Sequence, residues 1–166
     1  MRKISGKQFL IPFALTVLAA SPAYAVTATT QFQVTMTLQA ECKLTSASDL
    51  AFGTSGVIQS AVNATSSIGV QCTNTTPYNV GLGAGAGTGA TVALRKMTSS
   101  GGATINYQLF RDTARTQTWG DQVGTNTASG TGNGAVQTLT VYGTVPAQTT
   151  PAAGSYTDTV QVTVTF

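Results

Sequence analysis

Residues 31–39 alternate strictly between polar and apolar side chains, and this pattern constrains the fold more than any other part of the chain. A two-residue period is typical of a β-strand that has one apolar face and one polar face. The apolar face consists of Phe32, Val34, Met36 and Leu38. Burial of each of these side chains contributes about 1.5–3 kcal/mol, so we expect another strand or another molecule to cover the face.

The C-terminal residues repeat the pattern, with Val160, Val162, Val164 and Phe166 on one face of a predicted terminal strand. Between the two ends, short β-rich segments are separated by turn residues, and no stretch beyond residue 25 has a helical period. We therefore predict an all-β chain and specifically a β-sandwich. The other predicted strands cover 66–72, 78–82, 105–110 and 137–145, and the predicted Gly-rich loops cover 81–90 and 121–135.

Residues 1–25 have the three parts of a secretory signal peptide: a basic start, an apolar run of 12 residues and a small-x-small motif that ends at Ala25. Cleavage is predicted between Ala25 and Val26. The apolar run is shorter than the roughly 20 residues that span a bilayer. We therefore expect an exported protein without stable membrane insertion.

The charge of the chain changes once this leader is set aside. Three of the eight basic residues lie in it, so five basic residues remain against five acidic ones. A mature chain of zero net charge lacks the basic patch that nucleic-acid binding requires, and we predict no such partner. Low net charge combined with β-rich composition favours association with other copies.

Cys42 and Cys72 are the two cysteines of the chain, which also contains no histidine. Cysteines of an exported protein are oxidised by default, whereas a metal site or an activated thiol would need partners that this chain lacks. We predict a disulfide. Closing a loop of about 31 residues stabilises the fold by roughly 3.7 kcal/mol in the chain-entropy description.

Three further patterns resemble sites of chemistry. Residues 85–90 fit a loose dinucleotide-binding motif, but the segment that follows does not offer the helix that this motif needs. Asp112 and Asp121 form the only suggestive carboxylate pair, and no histidine is present to complete a catalytic site. We predict no cofactor and no enzymatic activity, and Trp119 leaves a carbohydrate-binding surface module as an alternative.

Four blocks of sequence carry a family resemblance. They are the alternating segment ending in QAEC, the strand SIGVQC that contains Cys72, the segment YQLFRDTARTQTWGD, and the final segment from VYGTVPAQ to VQVTVTF. Over nearly all of residues 26–166 the chain resembles the pilins of the archaic chaperone–usher class, a family also called spore coat protein U domains.

This resemblance implies an incomplete immunoglobulin-like β-sandwich that is completed by a donor strand from another subunit. It divides the chain into a signal peptide (1–25), an N-terminal donor-strand extension (26–40) and a pilin domain (41–166). In such systems a periplasmic chaperone fills the open groove of the sandwich first. At an outer-membrane usher, the extension of the next subunit then replaces the chaperone.

The resemblance also implies roles for individual residues. Phe32, Val34, Met36 and Leu38 are expected to enter the groove of a neighbouring subunit. The terminal strand around Val160, Val162, Val164 and Phe166 is expected to border the receiving groove and to pair with the chaperone. The expected product is a linear polymer of this chain or related pilins at the cell surface, serving adhesion and biofilm formation. A secreted coat protein of spores or cells is the alternative within the same family.

Overall fold

A computed structural model describes residues 22–166, and the chain divides into two units, Met1–Met36 and Thr37–Phe166. Most of the predicted signal peptide, residues 1–21, lies outside the described residues. In residues 22–36 every residue is exposed and none belongs to a helix or a strand. Ala25 and Val26 lie in this segment, and cleavage between them stays a prediction.

Residues 22–166 contain no helix that is long and apolar enough to cross a membrane.

The unit from Thr37 to Phe166 is built from antiparallel β-strands, and residues 22–166 contain no helix of any kind. A five-stranded sheet has the order β1-β2-β7-β5-β4, and a three-stranded sheet has the order β6-β3-β8. The strands are β1 (Cys42–Ala47), β2 (Val62–Cys72), β3 (Pro77–Leu82), β4 (Arg95–Thr98), β5 (Thr104–Phe110), β6 (Ala128–Thr131), β7 (Val136–Val145) and β8 (Val162–Thr165). The predicted all-β class is confirmed.

The centre of the larger sheet is the long antiparallel pair β2 and β7, whose register runs from Val62 opposite Val145 to Gln71 opposite Val136. Alternate side chains of these strands point inward, as their sequence period requires. The core between the sheets includes Ile68, Val70 and Val141 from this pair, together with Tyr78, Val80 and Leu82 from β3. Burial of these apolar side chains holds the two sheets together.

Cys42 and Cys72 lie directly opposite each other in the register of β1 and β2, and they form the predicted disulfide. Their Cα atoms are 4.1 Å apart, and both residues are buried. The bond joins the first residue of β1 to the last residue of β2. The residues that precede Cys42 therefore leave the domain from a fixed point.

One short strand contradicts a predicted loop. β6 lies inside the predicted loop 121–135 and pairs with β3, with Gly130 opposite Tyr78. A Cβ atom at residue 130 would lie 2.5 Å from the ring of Tyr78, so glycine is required where the strands approach. Gly- and Thr-rich composition predicted a loop here, but pairing with β3 decides the structure. β3 itself ends at Leu82, as predicted for the strand 78–82.

β4 was not predicted either, and its first residue, Arg95, is fully buried. The guanidinium donates hydrogen bonds of 2.8 Å to four carbonyl oxygens, those of Leu82, Gly83, Val92 and Trp119. Burial lowers the pKa of this guanidinium, while Tyr107, Asp121 and Asp158 act in the opposite direction. Arg95 thus joins the edge of the larger sheet to the end of β3.

The strand predicted over residues 31–39 is not formed: the structure assigns no strand between residues 22 and 41. A strand is stabilised by hydrogen bonds to a neighbouring strand, and this segment has none in the described part of the chain. The terminal strand is shorter than predicted, since β8 covers only Val162–Thr165.

Candidate functional site

The two sheets leave an opening between β1 and β8, which are both edge strands. Within residues 22–166, β1 pairs only with β2, and β8 pairs only with β3. Val160, Val162 and Val164 are half-buried, whereas the residues between them are exposed. The predicted alternation of the C-terminal segment is therefore present, although Phe166 itself is 58% exposed.

A cavity of about 500 Å³ lies inside this opening. Two chain segments flank it: residues 47–58, which we call the first wall, and residues 150–162, which we call the second wall. Val160 and Val162 belong to the second wall and line the cavity. The floor between the walls is largely apolar and consists of Ser66, Ile68, Leu82, Met97, Tyr107, Leu109 and Val141.

A second cavity of about 990 Å³ continues the first between the same two walls. The two cavities share four lining residues, Leu50, Phe52, Met97 and Tyr156. At the far end the walls are joined, because the Ile58 N–H donates to Thr150 Oγ1 (2.8 Å) and the Gln148 N–H donates to the Ile58 carbonyl (3.1 Å). Together the cavities form one groove.

Long stretches of both walls have unpaired main-chain groups. In residues 22–166, the N–H and C=O groups of residues 50–56 make no hydrogen bond to protein atoms. In residues 151–155 of the second wall, only the Ala152 carbonyl accepts one, from the Tyr156 hydroxyl at 2.6 Å. Unpaired main-chain groups beside a largely apolar floor are available for pairing with an added strand.

Tyr107 connects the floor of the groove to both walls. Its ring packs edge-to-face against Phe52 of the first wall, with ring centroids 6.2 Å apart. Its hydroxyl donates a 2.6 Å hydrogen bond to Asp158 Oδ2 of the second wall. Burial, and then the bond to Asp158, raise the pKa of Tyr107 well above its usual range, so the hydroxyl stays protonated.

Asp158 also fixes the loop that follows β3. Its Oδ1 accepts hydrogen bonds from the Ala86 N–H (2.7 Å) and from its neighbour Thr159 (2.8 Å). Gly85 has φ +86°, and a Cβ atom there would overlap the Asp158 carboxylate. Residues 85–90 lead through a turn to β4 and not into a helix, so they lack the structure that a dinucleotide-binding motif requires.

The predicted donor side chains are highly exposed. The exposed fraction is 86% for Phe32, 85% for Val34, 85% for Met36 and 75% for Leu38. Scattered exposed apolar residues are common on protein surfaces, but four at alternate positions of one segment form a contiguous apolar face. This face and the groove are the two features on which the functional interpretation depends.

Trp119, the residue behind the carbohydrate-binding alternative, is only 1% exposed. Its indole N–H donates to the Val80 carbonyl at 2.8 Å, and its ring is part of the core. A sugar cannot stack on a tryptophan in this position. The structure thus removes the residue that suggested a carbohydrate site.

Asp112 is occupied in a local turn. Its carboxylate accepts hydrogen bonds from the N–H groups of Thr116 and Gln117 and from the Thr116 hydroxyl. Desolvation acts to raise the pKa of Asp112, but the bonds from Gln117 and Thr116 outweigh it and hold the pKa below its usual value. In the described residues no three His, Cys, Asp or Glu side chains are placed to hold a metal ion.

Tyr107, Asp158 and the first wall had no predicted role. Tyr107 and Asp158 both lie in the blocks that carry the family resemblance, and this was the only signal that pointed to them. The first wall has no periodic pattern, and its side chains belong to the groove because Leu50 and Phe52 pack over Gly143. A Cβ atom at residue 143 would lie 2.8–3.0 Å from these two side chains.

Comparisons with known proteins agree with this architecture. The family model described as the Spore Coat Protein U domain matches residues 28–163. Protein U of Myxococcus xanthus is 36% identical over 180 residues, in an alignment that covers 100% of both chains.

A solved structure is similar as well. It is a chain from the crystal structure of the CsuC-CsuE chaperone-tip adhesion subunit pre-assembly complex from archaic chaperone-usher Csu pili of Acinetobacter baumannii. The TM-score is 0.55 at 27% identity, and the alignment covers 78% of this chain and 40% of that chain. This likeness, together with the two antiparallel sheets, confirms the predicted immunoglobulin-like fold.

Proposed function

The chain belongs to the Spore Coat Protein U domain family, and from this premise we propose that it is a structural subunit of a surface pilus assembled by the chaperone–usher pathway. The subunits join by donor-strand exchange, in which residues 26–40 of one copy fill the groove of the next. The polymer serves adhesion and biofilm formation at the cell surface.

The observation that carries this proposal is the presence of two unsatisfied apolar surfaces in one chain. One is the exposed face of Phe32, Val34, Met36 and Leu38, and the other is the groove with its largely apolar floor. Burial of the four side chains contributes about 6–12 kcal/mol before the costs of ordering and association. Pairing with the unpaired main chain of the walls adds hydrogen bonds.

The partners follow from the same two surfaces. A groove of this kind invites aggregation, so a periplasmic chaperone covers it until assembly. The solved neighbour comes from a complex of a chaperone with a pilus subunit, which supports a chaperone as partner. An outer-membrane usher, and other copies of this chain or related pilins, complete the assembly.

The proposal is tested by expressing the chain with its chaperone and usher and examining the surface material on SDS gels without boiling. The wild-type chain is expected to give a ladder of polymers that collapses on boiling, since interlocked sandwiches dissociate slowly. Met36→Asp places a charge on the apolar face and should abolish the ladder. Gln33→Asp places the same charge on the opposite face of the same segment and should retain it.

Monomers in all lanes, from protein that is exported and disulfide-bonded, would contradict donor-strand exchange. Equal loss of the ladder in Met36→Asp and Gln33→Asp would show that charge alone, and not burial of the apolar face, governs assembly.

A secreted coat protein of spores or cells is the second candidate, and the match to the family model described as the Spore Coat Protein U domain favours it. A coat protein would be found on the surface without the usher. Deleting the usher gene therefore separates the two candidates, because a pilus subunit would then stay in the periplasm with its chaperone.

A further inference from the structure

The groove contains one polar connection that the proposed function does not require. Tyr107 projects from the floor, and its hydroxyl reaches across to the carboxylate of Asp158 in the second wall. Both residues line the first cavity, where the apolar side chains of a donor strand would come to rest. A partly buried polar pair in a largely apolar groove calls for an explanation.

We propose that Tyr107 and Asp158 are positioning residues of the acceptor groove: their hydrogen bond ties the second wall to the floor and fixes the width at which a donor strand is received. This inference rests on the proposed function and concerns the regulation of the same site.

The hydrogen bond between Tyr107 and Asp158, which we call the tie, lies at the centre of the groove. The ring of Tyr107 contacts Phe52 of the first wall while its hydroxyl binds the second wall, so one side chain relates both walls to the floor. Phe52 is also one of the four residues shared by the two cavities. A shift of Tyr107 would therefore change the groove at the point where its two cavities meet.

The tie extends behind the second wall. Asp158 holds the Ala86 N–H, and the Gly83 N–H donates to the Gln161 carbonyl at 3.0 Å. Thr98 and Thr157 exchange two main-chain hydrogen bonds of 2.8 and 3.2 Å. These main-chain bonds attach the second wall at Thr157 and Gln161, on either side of Asp158. Asp158 is the only one of its side chains that bonds the floor in the described residues.

The charge of Asp158 makes this bond stronger than a neutral one. A tyrosine hydroxyl that donates to a carboxylate forms a charge-assisted hydrogen bond, and the apolar surroundings strengthen it further. Removing the hydroxyl leaves the packing of the Tyr107 ring in place. Tyr107→Phe thus removes the side-chain bond between the floor and the second wall without creating a cavity, while the main-chain bonds at Thr157 and Gln161 remain.

The test uses the mature chain with Met36→Asp as background, so that copies do not assemble, and a synthetic peptide of residues 26–40 as the donor. In Tyr107→Phe and in Asp158→Ala, peptide entry and release are both expected to be about tenfold faster. The dissociation constant changes less than either rate because both change together. The double variant should be no faster than Asp158→Ala alone, since the two residues make one contact.

Tyr142→Phe is the matched control. Its ring lies on the outer face of the same sheet beneath Arg115, at 5.7 Å, and its hydroxyl makes no hydrogen bond to the described residues. Hydrogen exchange of the peptide-free proteins provides a second measurement. The Ala86 amide should exchange about tenfold faster in Tyr107→Phe than in the Tyr142→Phe control.

The experiment distinguishes failure of this inference from failure of the proposed function. If the background chain binds the peptide but Tyr107→Phe has the rates and exchange of Tyr142→Phe, the tie has no positioning role and only this inference is overturned. If the background chain does not bind the peptide at all, the proposed function fails and this inference fails with it.

Discussion

The two ends of the chain have the same sequence pattern and different environments. Residues 32–38 and residues 160–166 each place an apolar side chain at every second position. At the N-terminal end these side chains are 75–86% exposed, whereas Val160, Val162 and Val164 are half-buried. The difference lies in the partner, because β8 pairs with β3 and residues 32–38 pair with nothing in the described chain. Alternating apolar side chains thus show that one face of a strand must be buried, but they do not show which chain buries it.

The largest effect on stability is expected when a donor strand is attached to the same chain. We expect residues 41–166 followed by a flexible linker and a copy of residues 26–40 to gain several kcal/mol in the free energy of unfolding. The gross contribution of four buried side chains is about 6–12 kcal/mol, from which ordering costs are subtracted. Denaturant unfolding measures the gain.

The control for this fusion carries serine at the four apolar positions of the appended copy, 32, 34, 36 and 38. Equal stability of the two fusions would show that the face does not enter the groove.

Loss of the disulfide should have the next largest effect. Replacing both Cys42 and Cys72 by serine removes the bond between the start of β1 and the end of β2. The expected cost is about 3.7 kcal/mol, because the unfolded chain gains freedom. Thermal unfolding of the exported domain measures it, with the disulfide-bonded wild-type protein as reference. A cost below about 1 kcal/mol would contradict the explanation that the bond acts mainly by restricting the unfolded chain.

The same substitution at the two ends compares them directly. Val164→Thr changes a half-buried side chain and should cost about 1 kcal/mol of stability in the isolated subunit. Val34→Thr changes an exposed side chain and should alter the stability of its own subunit by less than about 0.5 kcal/mol. The order should reverse in assembly, where Val34→Thr weakens the polymer. Equal effects in the isolated subunit would mean that the N-terminal face is covered within its own chain.

The smallest effect concerns pH and a site remote from both ends. The pKa of Asp112 is depressed in the folded protein, so its contribution is fully present above the pKa of the unfolded chain, about 3.9, and is lost as pH falls through the folded value. Asp112→Asn should lower the melting temperature slightly at pH 7. The difference from wild type should shrink below about pH 4. A difference that persists at pH 2 would show that the turn depends on shape and not on charge.

Strongly periodic segments could be predicted from sequence, because their side chains alone define a strand face. β2, β3, β5 and β7 contain the strands predicted at 66–72, 78–82, 105–110 and 137–145 to within a few residues. The disulfide followed from the compartment and from the lack of other cysteines. β4 and β6 could not be predicted, because Arg95 and Gly130 are set by tertiary contacts with β3 and its neighbours and not by local preference.

The groove and its border at Val160 and Val162 were predicted only through the family resemblance, and the rest of its walls was not predicted. Residues 47–58 and 150–162 have no common period, and they come together through distant contacts such as Ile58 with Thr150. The Tyr107–Asp158 bond joins residues 51 positions apart. No local pattern specifies such a pair.

The central claim is that the N-terminal extension of one copy occupies the groove of another, and cysteine cross-linking between two differently tagged copies tests it most directly. One copy carries Val34→Cys, and the other carries a cysteine in place of Val160, Val162 or Val164 in turn. Assembled together and oxidised, at least one pair is expected to give a mixed dimer that contains both tags. A chain that carries both cysteines and forms the bond only within itself, with no mixed dimer in any pair, would contradict the claim.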